Sequence, residues 1–245
     1  MQQYFVTTAI FNQEVVFDQE QVHHLVHVMR YETGRQVYVV DPTQKKYLVT
    51  LTIEEKQVKG QVVHEIMQSS ELPCRVVIAQ SIIKGDRFDY FLQKAAEFGV
   101  SDIVPLITKR TVVKVMDEKK DKKQQRWQKI VIEAAEQARR SSYPLVHDTM
   151  SLDELLRQFD AVDYKLVAYE EANEHSVLKD VVTSLKAGQS LLLVVGCEGG
   201  LEQQEVSKLE AHGYRTCALG PRILRAESAG IYALAAISYE MELSR

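Results

Sequence analysis

Most of the residues in this chain that could do chemistry sit in two glycine-bearing loops near the C-terminal end. An apolar run, Leu191-Leu192-Leu193-Val194-Val195, empties into Gly196-Cys197-Glu198-Gly199-Gly200. A second run, Thr216-Cys217-Ala218-Leu219, empties into Gly220-Pro221-Arg222-Ile223-Leu224-Arg225. A helical pattern follows each loop. A buried strand that ends in glycine and turns into a helix lets main-chain N–H groups approach a ligand closely. One such loop is an ordinary βα turn. Two in succession, with Arg222, Arg225 and Glu227 crowded beside the second, point to a single pocket built largely from backbone, with Gly220 a position of close approach. Guanidinium groups beside it could stabilise developing negative charge. The carboxylates Glu198 and Glu227 could accept a proton, orient loop amides or cap the last helix, and for Glu227 a structural role is the favoured reading.

The elements that must position these loops alternate between strand and helix. Arg75 to Ala79, Ile103 to Ile107, Tyr164 to Tyr169, Leu191 to Val195 and Tyr214 to Leu219 read as buried strands. Between them, helical spacing covers Asp86 to Phe98, with Asp86 as cap and Gly99 as stop, and Lys122 to Arg140, where Trp127, Ile130, Val131, Ala134 and Ala138 share a face. Ser151-x-x-Glu154 is a capping box. Further helices run over Ser176 to Leu185, Leu201 to His212 and Glu227 to Leu243. Such alternation predicts a mostly parallel sheet covered by helices on both faces. Residues 1–72 differ. They are rich in short β-type runs, with Val49, Leu51 and Ile53 alternating against Leu48, Thr50 and Thr52, and one helix around Gln19 to Arg30. They predict a small barrel or rolled sheet, and Ser69-Ser70-Glu71-Leu72-Pro73 reads as the linker to a second domain over 73–245.

Composition narrows the chemistry. The 245 residues are enough for two cores, and no apolar run approaches the roughly 20 residues that span a bilayer. The start, Met1-Gln2-Gln3-Tyr4-Phe5-Val6, lacks the basic and apolar stretches of a signal peptide. Three scattered cysteines, Cys74, Cys197 and Cys217, with no Cys-x-x-Cys pair, suit a reducing cytoplasm. His23 and His27 are four residues apart, yet no metal site is expected there. The net charge of -4 hides an asymmetry. Lys109 to Lys129 holds nine basic and three acidic residues, so this window is +6 and the rest of the chain -10. That is a candidate phosphate-binding footprint, with Lys119, Lys120, Lys122 and Lys123 at its centre.

There is no Gly-x-Gly-x-x-Gly and no Gly-x-x-x-x-Gly-Lys-Ser/Thr, and the first βα turn, Gln80 to Gly85, has one glycine. The loops instead resemble those of a known family. Gly196-Cys197-Glu198-Gly199-Gly200 is similar to the Gly-Pro-Glu-Gly-Gly loop of the SPOUT methyltransferases, with Cys197 in place of proline. Leu219-Gly220-Pro221-Arg222-Ile223-Leu224-Arg225-Ala226-Glu227-Ser228-Ala229 resembles the Leu-Gly-x-Arg-Ile-Leu-Arg-x-Glu-Thr-Ala motif of the RsmE branch. Further matches are His24 to Arg30, Lys84-Gly85-Asp86, Gln93-Lys94 with Glu97 and Gly99, Arg110 to Val113, and Glu136-Gln137 with Arg140 and Pro144. Arg139 stands where the family usually has glycine.

The resemblance implies a SPOUT-type, trefoil-knotted α/β sheet with a smaller N-terminal PUA-like β-barrel that binds RNA. It implies S-adenosyl-L-methionine as cofactor. Its contacts would be Ala168 and Tyr169 after one strand, Gly196, Glu198 and Gly199 after the next, and Leu219, Gly220, Ile223, Leu224, Arg225 and Ala229 after the last. It implies methylation of N3 of a uridine in bacterial 16S ribosomal RNA, within the 30S subunit, by a cytoplasmic homodimer with no membrane partner. Removing the N3 proton leaves negative charge on the uracil oxygens, and Arg140 and Arg225 are the expected donors to it. Arg30, Lys84, Arg110 and Arg139, with Arg140 and the lysine run, are the expected RNA contacts. A ribose 2′-O-methyltransferase of the same fold, or a non-catalytic RNA-binding or ribosome-assembly factor, is the competing reading. The Arg-Ile-Leu-Arg-x-Glu run and the N-terminal β domain speak against the first, and the intact glycine loops against the second.

Overall fold

Val76-Val77-Ile78-Ala79 is buried at every position, and its side chains alternate between two separate cores. Val76 and Ile78 face Phe88, Phe91, Trp127 and Leu234, whereas Val77 and Ala79 face Leu155, Val206 and Leu209. Leu191 and Leu193 join the first core, and Leu192 and Val194 the second. A strand buried on both faces belongs in a parallel sheet sandwiched between helices.

The computed structural model describes residues 1–54, 57–113, 120–172 and 177–244. Its elements are β1 (Gln3–Phe5), β2 (Glu14–Val16), α1 (Gln19–His23), β3 (Gln36–Val40), β4 (Lys46–Glu54), β5 (Gln57–Ile66), β6 (Arg75–Ser81), α2 (Asp86–Glu97), β7 (Asp102–Ile107), α3 (Lys120–Gln137), β8 (Leu145–Val146), β9 (Met150–Ser151), α4 (Leu152–Gln158), β10 (Tyr164–Ala168), α5 (Val177–Ser184), β11 (Ser190–Val195), α6 (Gln203–Ala211), β12 (Arg215–Cys217) and α7 (Ala226–Ser238). A π-helical turn extends α1 over His24–Val28, and another extends α7 over Tyr239–Leu243. The chain divides into two compact units, Met1–Glu71 with Ala135–Tyr143, and Leu72–Ala134 with Pro144–Arg245.

In the first unit five strands pair in the order β1-β3-β4-β5-β2, with β1 and β3 parallel and the rest antiparallel. Val37, Val39, Val49 and Leu51 are fully buried, so the expected alternation in β4 does set the inner face. In the second unit seven strands form one sheet, β12-β10-β11-β6-β7-β8 with β9 also on β7, and every pair is parallel. The α/β architecture read from the strand–helix alternation is therefore present. The sequence misplaces one cap: Gly85, at φ 62, precedes α2, and Asp86 is its first helical residue. Ser151 does close the expected capping box with Glu154.

The end of α3 explains the departure at Arg139. The N–H of Arg139 donates to Glu136 O at 3.1 Å and that of Arg140 to Ala135 O at 2.9 Å. That pair of bonds is a Schellman motif, which wants a left-handed residue just past the helix, usually glycine. Arg139 takes that place at φ 55, its guanidinium 5.8 Å from the centre of the Tyr38 ring. The helix end is not shifted by the arginine; the arginine adopts the conformation that suits glycine. Arg139→Gly should therefore raise stability by about 0.5–1 kcal/mol, since a left-handed non-glycine residue costs roughly 1–2 kcal/mol and an exposed cation–π contact returns about 0.5–1 kcal/mol. Urea unfolding checks this, and a lower midpoint would mean that the Tyr38 contact outweighs the strain.

Candidate active site

In the parallel sheet Ala168 pairs with Val195 on one side and Cys217 on the other, so β10, β11 and β12 end level. The three loops that follow leave the same edge, the carboxyl end of the strands, where open α/β sheets hold ligands. They enclose a cavity of about 670 Å³. Its lining includes Ala168, Tyr169, Gly196, Glu198, Leu219, Gly220, Ile223, Leu224, Arg225 and Ala229. Of the expected cofactor contacts Gly199 alone is absent from that lining; its carbonyl accepts a hydrogen bond from Arg110 Nη1 at 2.7 Å. Arg110 itself lines the cavity, as do Arg87 and Arg222.

The glycines serve different ends. A Cβ on Gly196 would lie 2.8 Å from the carbonyl carbon of Gly200, 3.0 Å from its Cα and 3.1 Å from Leu201 N, all main-chain atoms. Gly196 is thus the position where backbone passes backbone. A Cβ on Gly220 would meet only Tyr232 Oη, at 3.8 Å, so the expected squeeze at Gly220 is not there; what it supplies is φ 96. Cys197 stands in for proline without opening the turn: Gly200 N–H donates to its carbonyl at 2.9 Å, and its Sγ lies 3.7 Å from Gly200 O.

The loops are fastened from behind. Gln80, buried at the end of β6, donates from Nε2 to Gly196 O at 3.2 Å. Glu198 Oε1 receives Arg87 Nη2 at 2.7 Å and Lys84 N–H at 3.2 Å, so this carboxylate ties its loop to the start of α2. Glu205 accepts from the N–H groups of Lys109 and Glu202, each at 2.9 Å. Tyr169 Oη donates its proton to Glu171 Oε2 at 3.0 Å, a bond that pushes its phenol upward, and lies 2.8 Å from the Gln203 side-chain amide. Sequence reasoning missed Gln80, Arg87 and Gln203. Gln80 did carry a signal, a polar residue closing an otherwise apolar strand.

The two expected arginines lie in different settings. Arg225 is exposed, lines the cavity and immediately precedes α7. Arg140 is 3% exposed and belongs to the first unit, where its Nε and Nη2 both donate to Glu71 Oε2, at 3.1 and 2.5 Å. The other oxygen of Glu71 receives the N–H groups of Ser141 at 2.7 Å and Ser142 at 3.1 Å. The free donor expected at Arg140 is instead half of a buried ion pair. Among the expected RNA contacts, Arg30, Lys84, Arg110, Lys122 and Arg139 are exposed. Lys119 lies outside the described residues, and Lys120 is described only as the first residue of α3. Among the described residues no group of His, Cys, Asp or Glu side chains is placed to hold a metal ion, and no helix is long and apolar enough to cross a membrane.

Known proteins share this arrangement. Residues 70–238 match the RNA methyltransferase domain family, and residues 17–63 match the RNA methyltransferase PUA domain. The Ribosomal RNA small subunit methyltransferase E of Bacillus subtilis (strain 168) is 42% identical over 230 residues, which cover 92% of this chain and 90% of that protein. The crystal structure of a Ribosomal RNA small subunit methyltransferase E from Neisseria gonorrhoeae, bound to S-adenosyl methionine, is 31% identical with a TM-score of 0.87 over 97% of each chain. A methyltransferase from Legionella pneumophila, in complex with its cofactor SAM, is 30% identical with a TM-score of 0.86 over 96% of each chain. With its methyltransferase domain, its PUA domain and this likeness along nearly its whole length, the chain belongs to the RNA methyltransferase family of the small-subunit methyltransferases E.

Proposed function

We propose that this chain binds S-adenosyl-L-methionine in the cavity at the ends of β10, β11 and β12 and methylates N3 of a uridine in 16S ribosomal RNA. The observation that carries the reading is the level ending of those three strands, which brings the loops from Ala168, Gly196 and Leu219 to one cavity. Its 670 Å³ lies within the roughly 300–1,000 Å³ of small-molecule sites. The donor set suits an adenosyl amino acid: main-chain groups of three loops, acceptor carboxylates, and arginines for an anionic group. When bound, this cofactor supplies a methyl group already activated on a sulfonium.

The chain's own residues then bind, orient and tune charge. Gln80 and Arg87 hold the Gly196 loop from behind. Uridine N3 carries a proton at neutral pH, and losing it spreads negative charge over O2 and O4. Arg225 is the guanidinium we assign to that charge, because it is exposed on the cavity wall while Arg140 is committed to Glu71. Glu198, tied to Arg87 and the Lys84 N–H, serves the loop rather than the proton. Arg225→Ala should lower the single-turnover rate of methylation of unmodified 30S particles by about 10²-fold, with cofactor affinity little changed. A wild-type rate would remove Arg225 from the chemistry.

The exposed cations Arg30, Lys84, Lys122 and Arg139, together with Lys119, Lys120 and Lys123, are assigned to RNA phosphates, and Arg110 to the RNA side of the cavity. A homodimer is part of the same reading. Leu234, Ile237 and Met241 of the last helix are consumed by the chain's own core, so the surface left for a partner protomer is Tyr232, Tyr239 and Leu243, which are 42%, 63% and 74% exposed.

A further inference from the structure

Among the described residues, Glu227 is the one carboxylate on the cavity wall with an oxygen buried without a partner. The residue is 7% exposed, it lines the cavity, and its Oε2 has no hydrogen-bond donor. On the same wall Glu198 has Arg87 and Lys84 N–H and Glu171 has Tyr169 Oη, while Glu205, equally buried but outside the lining, has two main-chain donors. Nor does Glu227 cap its helix. Arg225 occupies the cap position of α7 and no side-chain cap bond is present there. Of the structural roles read from the sequence, helix capping is therefore missing.

An ionised carboxylate can only accept hydrogen bonds, and burying one without a donor is expensive. The first turn of α7 suits a negative charge, but it leaves Oε2 without a donor. We infer that Glu227 is a cofactor-binding residue whose carboxylate accepts a hydrogen bond from an N–H or O–H group of the bound cofactor. The inference rests on the reading of the cavity as an S-adenosylmethionine site. The cofactor carries several such donors, in its ribose hydroxyls, its ammonium and its adenine amine. The depth of Glu227 assigns it to the cofactor rather than to the RNA base, because the residue lies 7% exposed at the cavity wall whereas Arg225 at the same loop is exposed.

The test is calorimetric titration of S-adenosylhomocysteine into the full chain, wild type against Glu227→Gln and Glu227→Asp, with the melting temperature of each ligand-free protein. The wild type should bind. Glu227→Gln keeps the shape, removes the charge and should weaken binding about 10–100-fold, the range for losing a bond to a charged group. Glu227→Asp keeps the charge on a shorter stem and should fall between. Ligand-free Glu227→Gln should melt at the wild-type temperature or above it, since the unpartnered charge is gone. Unchanged affinity in Glu227→Gln overturns the inference, and so does a lowered ligand-free melting temperature, which would return Glu227 to a structural role. If the wild type itself fails to bind, the reading of the cavity fails first and takes the inference with it.

Discussion

Gly196→Ala should weaken S-adenosylhomocysteine binding by about 10²-fold, because the added methyl meets the backbone of Gly200 and Leu201 and the loop must move to admit it. The nearest atoms, at 2.8, 3.0 and 3.1 Å, belong to Gly200 and Leu201, and main chain cannot swing aside as a flexible side chain can. Displacing that crossing shifts the Gly196 carbonyl off Gln80 and carries Glu198 away from Arg87. The sheet beneath should survive, since Leu191 to Val194 are fully buried and untouched. Gly220→Ala is the control. Its Cβ has room, with only Tyr232 Oη at 3.8 Å, and the penalty is the strain of φ 96, about 1–2 kcal/mol, so a smaller loss is expected. Calorimetry on both variants, with circular dichroism to confirm folding, decides the order. Wild-type affinity in Gly196→Ala would show that the loop does not hold the ligand.

Arg140→Ala should destabilise the first unit by about 1–3 kcal/mol, less than the loss of a fully buried ion pair because Glu71 is partly exposed and keeps two main-chain donors. Glu71 would keep the N–H groups of Ser141 and Ser142 and lose both bonds from the guanidinium. Acid unfolding gives the second signature. Burial pushes the Glu71 carboxyl upward, but the Arg140 hydrogen bond and charge, with the Ser142 contacts, outweigh it and hold the group below its ordinary 4.5. A depressed carboxylate stabilises the fold above its unfolded value and loses that stabilisation as pH falls through the folded value. The wild type should therefore lose stability on acidification below about pH 4.5, and Arg140→Ala should show a flatter acid limb. Urea unfolding across pH measures both. If Arg140→Ala kept full stability and lost only methylation rate, the catalytic role expected from the sequence would stand after all.

These two results fall where the sequence was most and least legible. The Gly196 and Gly220 loops announced themselves, because an apolar run ending in glycine is local. Their division of labour was not visible, since a close approach depends on Gly200 folding back and a positive φ leaves no mark except the glycine itself. Arg140 misled for the opposite reason. Its position after a helix is local, but its partner Glu71 stands far back in the chain, inside a stretch that reads as a linker. The same limit hid β8 and β9, which are two residues each and exist only because β7 offers them an edge. It also hid β5, whose alternation of Val58 and Val62 with Gln57, Lys59 and Gln61 is broken by Gly60 and fades toward Ile66, and which is fixed by pairing with β4. The α/β sheet, by contrast, was written in strands buried on both faces, and such runs need no partner to be recognised.

This chain is expected to place a methyl group on a uridine of small-subunit ribosomal RNA. Mass spectrometry of nucleosides from 16S RNA tests it most directly, comparing cells that make the protein, cells that lack it, and lacking cells that carry the Gly196→Ala variant. The account predicts 3-methyluridine in the first sample alone. Full 3-methyluridine in cells without the protein, or a ribose-methylated uridine lost in its place, would contradict it.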